Sequence, residues 1–242
     1  MARKATRSKA RRSTSRAKPA PSGTPRERII AAFMDLLAEQ PIERIGLAEI
    51  AERAGVTLAE LRREFGSPLA VLAAHVKELD RQVLAEIDPD MAEESPRERL
   101  FDVLMRRLEL LGDRKDAVRS LLRSARRDPP LALALNAMTV RSQQWMLTAA
   151  GIGASGPKGM VRAQGLALLF ANVLRIWVED DEAGQPRTLA ALDRELSTGQ
   201  RLAGLLDDLC RIPEAACRFR DRMRNARRER GGRRSRGERA AA

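Results

Sequence analysis

The sequence predicts an all-α protein of about nine helices, and three observations carry the prediction. The apolar 43% of the 242 residues is drawn from Leu, Ala, Ile, Val and Met, with aromatics at 3% and no Tyr, a set that suits helices. Apolar residues recur at steps of three and four, and runs of β-branched residues with a period of two are missing. Finally, Thr24-Pro25-Arg26-Glu27, Thr57-Leu58-Ala59-Glu60 and Ser95-Pro96-Arg97-Glu98 have the form of capping boxes. In each, a hydroxyl and a carboxylate three residues apart satisfy backbone N–H groups at a helix start.

The segment 1–23 is low in apolar residues and carries eight Lys/Arg with no acid. It is expected to be a disordered basic tail. A first helix follows Thr24, with Ile29, Ile30, Phe33, Leu36 and Leu37 on one side, and stops near Pro41. Leu47, Ile50, Ala51 and Ala54 then mark a short second helix, closed by Gly55, the residue type that most readily takes a left-handed cap. Thr57 caps a third helix, whose Leu61 and Phe65 share a buried face. Helix, glycine turn and capped helix make a helix-turn-helix, whose second helix enters the DNA major groove. Residues 24–68 are therefore expected to be a DNA-binding head.

Ser67-Pro68 opens a fourth helix with Leu69, Leu72, Val76, Leu79, Val83 and Ile87 in its stripe. About twenty residues would make a rod of roughly 30 Å running from the head into a helical body, residues 69–209. After a polar break at 88–94, a fifth helix carries Leu100, Phe101, Leu104, Met105, Leu108 and Leu111. A sixth is expected from about Asp113 to Arg126, and a seventh from Asp128-Pro129 with Leu131, Leu135, Met138, Trp145 and Met146. The eighth spans about Pro157 to Val178, with Leu166, Leu169, Phe170, Val173, Leu174 and Trp177. The ninth spans about Gln185 to Leu209, with Leu189, Leu192, Leu196, Leu202, Leu205 and Leu209.

Ile50-Ala51-Glu52-Arg53-Ala54-Gly55-Val56-Thr57, with Phe65 beyond, resembles the DNA-binding segment of the TetR family of repressors. The similarity runs from Thr24 to Leu72, and further on rests on helix order and length. The resemblance implies a homodimer built by the last two long helices, and a ligand-responsive repressor whose body binds an apolar small-molecule effector. It departs from the family at Arg62-Arg63-Glu64, where an aromatic residue is usual, and at Pro68, where a phosphate-contacting Lys is usual. Glu60 and Glu64 bring negative charge to the same helix. A second resemblance lies further on. Leu174-Arg175-Ile176-Trp177, an acidic stretch and Arg187 to Arg194 are similar to the end of the lipid-binding accessory proteins of ubiquinone biosynthesis, which share the TetR fold without acting as repressors.

The expected DNA-contacting residues are Thr57, Leu58, Ala59, Glu60, Arg62 and Arg63. Arg62 or Arg63 is suited to a bidentate contact with guanine. A two-fold dimer would set two such helices roughly 34–36 Å apart, or a multiple of it, on a near-palindromic double-stranded operator. The residues expected to line an effector pocket are Phe101, Met105, Leu108, Met138, Trp145, Phe170 and Trp177, unless they are simply core.

Net charge is +12, of which 1–23 and the Arg-rich tail 210–242 contribute +8 each, leaving the stretch between at −4. Such tails bind polyanions without sequence discrimination. Cys210 and Cys217 are too few for a disulfide framework and are expected to be free thiols. No run of 18 apolar residues exists, so no membrane span is expected. No secretory signal is read at the N-terminus either, and a cytoplasmic location is expected.

Gly151-x-Gly153-x-x-Gly156 matches the dinucleotide fingerprint but follows a helical stretch rather than a strand, so it reads as an inter-helix loop. His75, the only histidine, reads as partly buried and structural. The acidic run Glu179 to Glu182 reads as a solvated helix terminus, without the alternating spacing of a cation loop. No acid–base or nucleophile constellation survives inspection. The protein is therefore expected to be no enzyme and to carry no cofactor or metal.

Overall fold

The computed structural model describes residues 23–201. Residues 1–22 of the tail expected at 1–23, the tail expected at 210–242 with both cysteines, and Leu202, Leu205 and Leu209 of the last helix lie outside the described residues. Those described form helices α1 (Pro25–Glu39), α2 (Leu47–Ala54), α3 (Leu58–Glu64), α4 (Pro68–Ala85), α5 (Pro96–Leu110), α6 (Lys115–Ala125), α7 (Pro129–Ala149) and α8 (Gly156–Trp177). Helix α9 runs over 186–201 within this span, and among the described residues there is no strand. Short 3-10 turns at Ile42–Arg44, Pro89–Glu93 and Gly112–Arg114 link neighbours.

All three expected capping boxes form, with hydroxyl-to-N3 and carboxylate-to-N-cap bonds both present at Thr24, Thr57 and Ser95. Each contributes about 1 kcal/mol to helix stability. Helix α4 starts at Pro68 as expected but ends at Ala85, so Ile87 lies past its last turn and is exposed. The sixth helix starts at Lys115 because Gly112–Arg114 takes the tighter 3-10 form.

Two apolar cores fill the molecule. The first joins Ile29, Phe33, Leu36 and Leu37 of α1 to Ile50, Leu61 and Phe65 of the helix-turn-helix. It does not stop at residue 68. Val71, Leu72 and Ala74 of α4, Ala117 of α6 and Leu131 of α7 belong to it, because α6 packs along the side of α1 that α2 leaves open. The second core gathers Leu79 and Val83 of α4, Leu104 and Leu108 of α5, Met146 and Leu147 of α7, Phe170 and Trp177 of α8, and Leu192 and Leu196 of α9. Helix α6 turns Ala117 and Leu121 to the first core, and Val118 and Leu122 to the second.

Polar bonds fix α6 on both sides. Towards the head, Arg114 pairs with Asp35 of α1 at 2.5 Å, and the Ser120 hydroxyl donates to the Gln40 carbonyl at 3.1 Å. Towards the α8–α9 corner, Lys115 donates to the Asp180 carbonyl at 2.6 Å and to the Asp181 carboxylate at 2.8 Å, while Arg119 donates to the Val178 carbonyl. The acidic run is thus not wholly a solvated terminus. Asp180 is buried and caps α9 by accepting the Thr188 N–H and hydroxyl, each at 2.8 Å. Burial works against its ionisation, and the Thr188 bonds outweigh that and hold its carboxyl below the usual range.

The Gly151-Gly153-Gly156 stretch is a loop between α7 and α8, as expected. Gly151, at φ 72°, closes α7 with the Ile152 N–H donating back to the Leu147 carbonyl at 2.8 Å.

Candidate nucleic-acid interface

The geometry of the recognition segment follows from its local chemistry. Gly55 takes φ 62° and ψ 40° at the end of α2, and the Val56 N–H bonds the Ala51 carbonyl at 3.0 Å. This is the glycine-terminated cap that reverses the chain in a few residues. Thr57 then starts α3: its hydroxyl accepts the Glu60 N–H at 3.2 Å, and the Glu60 carboxylate accepts the Thr57 N–H at 2.8 Å and the hydroxyl proton at 2.9 Å. Those bonds, led by the one from the Thr57 N–H, hold the Glu60 carboxyl below its ordinary range.

With Leu61 and Phe65 turned into the first core, the opposite side of α3 faces out. Thr57, Leu58, Ala59, Arg62 and Arg63 are all exposed, Leu58 by 56%. The guanidinium groups of Arg62 and Arg63 make no hydrogen bond or ion pair among the described residues. The two acids of the helix both have partners. Glu60 is occupied by the cap, and Glu64 lies 3.8 Å from Arg26 of α1. Arg26 also sits over the Phe65 ring, 4.8 Å from its centroid, and Arg28 donates to the Gly55 carbonyl at 3.4 Å. Sequence reasoning missed both of these α1 arginines. Their spacing from α3 in the chain hid a contact that exists only once α1 and α3 are packed.

The expected pocket residues do not come together in one lining. Leu108, Phe170 and Trp177 are buried in the second core, with Phe101 and Met105 half-buried against it. Met138 packs against the first core instead. Trp145 is 56% exposed and lines no interior site, because α7 turns Ser142, Gln143 and Met146 inward at that level.

What the interior does contain is a polar cluster that periodicity did not reveal. The buried Arg107 of α5 pairs with the buried Asp80 of α4, and Asp80 also accepts the Ser142 hydroxyl of α7 at 2.7 Å. Arg107 lies 5.6 Å from the centroid of the Phe170 ring on α8, so four helices meet at this pair. Among the described residues the fully buried Gln143 makes no hydrogen bond from either amide atom, and the Arg107 Nε and His75 Nε2 atoms are likewise unbonded. The His75 imidazole is pushed down to about 4, chiefly by burial and further by the charges of Arg114 and Arg107, against a smaller opposing effect of Glu78. Among the described residues no group of His, Cys, Asp or Glu side chains could hold a metal ion, and no helix is long and apolar enough to cross a membrane.

A three-helix head with an outward-facing helix-turn-helix, seated on a helical body through α4 and α6, defines a helix-turn-helix protein with a companion domain. The fold is that of the TetR-family transcriptional regulators. It is similar to a TetR transcriptional regulator from Nitrosomonas europaea, with a TM-score of 0.57, 21% identity, and coverage of 72% of this chain and 97% of that one. A TetR regulator from a Rhodococcus species matches with a TM-score of 0.52 and 24% identity over 72% and 95% of the two chains. A TetR-family regulator from Syntrophomonas wolfei matches at 0.54 and 16% over 74% and 94%. No family model and no curated protein matches the sequence, so the likeness is one of structure.

Proposed function

We propose that the protein is a DNA-binding transcriptional regulator, acting as a repressor from the cytoplasm and responding to a small-molecule effector. The observation that carries this reading is the outer face of α3. Arg62 and Arg63 stand exposed and unpaired beside Leu58, while the acids of the same helix are tied back by Thr57 and Arg26. A free arginine fork on a capped helix matches the O6 and N7 edge of guanine. This favours the regulator over a lipid-binding accessory protein of ubiquinone biosynthesis with the same fold.

A two-fold dimer through α8 and α9 follows from the same reading. Val161 and Leu168 of α8 and Leu189 of α9 are exposed apolar side chains on that pair of helices, and a second copy would cover them. On this reading an apolar effector would bind among α4, α5, α7 and α8, beside Met105, Leu108 and Phe170. Residues 24–68 form the DNA-binding unit, and the helices from residue 69 onward form the effector and dimer unit.

The test is selection of bound fragments from the source genome, followed by footprinting of the chain and of its Arg62→Ala/Arg63→Ala variant. Specific protection is expected for the wild type. The variant should fold normally and lose about 1–3 kcal/mol of discrimination for each base that it no longer reads. An unchanged footprint would remove these two residues from the mechanism. Co-purifying lipid without any duplex binding would point to the accessory-protein reading.

A further inference from the structure

Four arginines where the head meets the body form a group of their own. Arg97, Arg99, Arg106, Arg107, Arg114 and Arg119 each donate to a carboxylate or a carbonyl. Arg123, Arg126 and Arg127, at the end of α6 and just past it, do not, and neither does Arg44 ahead of α2. All four are exposed, and none makes a side-chain hydrogen bond or ion pair among the described residues.

Their elements are neighbours. The Ile42–Arg44 turn packs against α6. Between the two lies the exposed Glu43 carboxylate, and Arg44 and Arg127 are both close enough to act on its charge. Arg123 lies in the last turn of α6, and Arg126 and Arg127 follow in the turn that closes it. Of the nearby acids, Asp128 accepts the Leu131 N–H at 3.1 Å, where it caps α7, which leaves the single Glu43 carboxylate among four guanidinium groups. One cation would complement the carbonyl end of α6. That does not account for three in five residues meeting a fourth from another element.

The position of this cluster gives its partner. Arg44 lies three residues before Leu47, the first residue of α2. When a helix-turn-helix docks, its second helix enters the groove and its first crosses the sugar-phosphate backbone. A cluster at the entry to α2 therefore meets the duplex at its phosphates and not at its base edges. We propose that Arg44, Arg123, Arg126 and Arg127 form a second DNA-contacting surface, through which the helical body itself grips backbone phosphates beside each half-site. The proposal rests on the reading of the protein as DNA-binding, and it adds a grip that carries no sequence information. It also makes the hold on DNA depend on how α6 is seated, since three of the four arginines lie in its last turn and the turn that follows it.

The experiment uses the full chain, a fragment selected for specific binding, and a mixed-sequence duplex, with affinity followed against salt. The variant Arg123→Ala/Arg126→Ala/Arg127→Ala is expected to weaken both complexes equally, leaving their ratio unchanged. The slope of log affinity against log salt should fall by about 0.9 for every phosphate that is no longer neutralised. Arg44→Ala should add a further step of the same kind. A set with Gln in place of Ala removes the charge with less loss of bulk and serves if the Ala set folds poorly, as judged by circular dichroism. Slopes and affinities equal to the wild type overturn the proposal while leaving the regulator reading in place. A variant that changes the ratio between the two duplexes also overturns it, because the cluster would then be reading bases. A wild-type chain that binds neither duplex overturns both.

Discussion

The two cores of the molecule are built on different terms. Around Phe33, Ile50, Leu61 and Phe65 the first holds no buried ion pair among the described residues, its helix ends are capped at Thr24, Thr57 and Ser67, and its unbonded polar atoms, Arg28 Nε and Ser124 Oγ, lie at its margin. The second, of similar extent, encloses Asp80, Arg107, Ser142 and Gln143, and leaves polar atoms of Arg107 and Gln143 without partners. A core holding an ion pair and an unbonded amide carries a cost that another packing, or a bound molecule, relieves. The head is thus suited to hold a fixed shape against DNA, and the body to change its interior.

The strongest way to break this contrast is Asp80→Ala, which strands Arg107 in the body. A loss of about 3–5 kcal/mol in urea unfolding is expected. The double change Asp80→Leu/Arg107→Met should recover most of it, and a double variant as unstable as the single would show that the pair is needed for packing. Next in size is the pH response of His75. Its folded value near 4 lies below the ordinary 6.5, so between those limits the unfolded chain binds a proton that the folded chain refuses. Stability should therefore fall as pH drops from 6.5 to 4 and level off below, by at most about 3 kcal/mol relative to a His75→Leu variant. Parallel pH curves for the two proteins would contradict this. The smallest effect sharpens the comparison from the other side: Gln143→Leu removes the unbonded amide and should raise stability by about 1–2 kcal/mol. Thermal unfolding of the variant without effector reads this directly.

The parts of the fold that were legible in sequence are those whose cause is local. A Thr three residues before a Glu, or a Gly after an apolar turn, acts within one helical turn, and all three capping boxes and the Gly55 corner formed accordingly. The exposed side of α3 was legible for the same reason, since Leu61 and Phe65 fix what lies opposite them. What failed was set by distant partners. Asp80 and Arg107 look like ordinary surface charges until α4 and α5 are packed, because they stand 27 positions apart in the chain. Trp145 falls near the apolar residues of α7 in the sequence, yet the helix turns the neighbouring Gln143 and Met146 inward and leaves the indole outside. Asp180 sits in a run of four acids, and only the return of α9 gives it Thr188 to cap. The packing of α6 along α1 had no signal in either helix alone.

That packing bears on how the protein comes apart. Helices α4 and α6 each lend side chains to both apolar interiors, so neither interior can melt without stripping a wall from the other. The head is no detachable bead on a stalk, and heat should take the whole described structure through one transition.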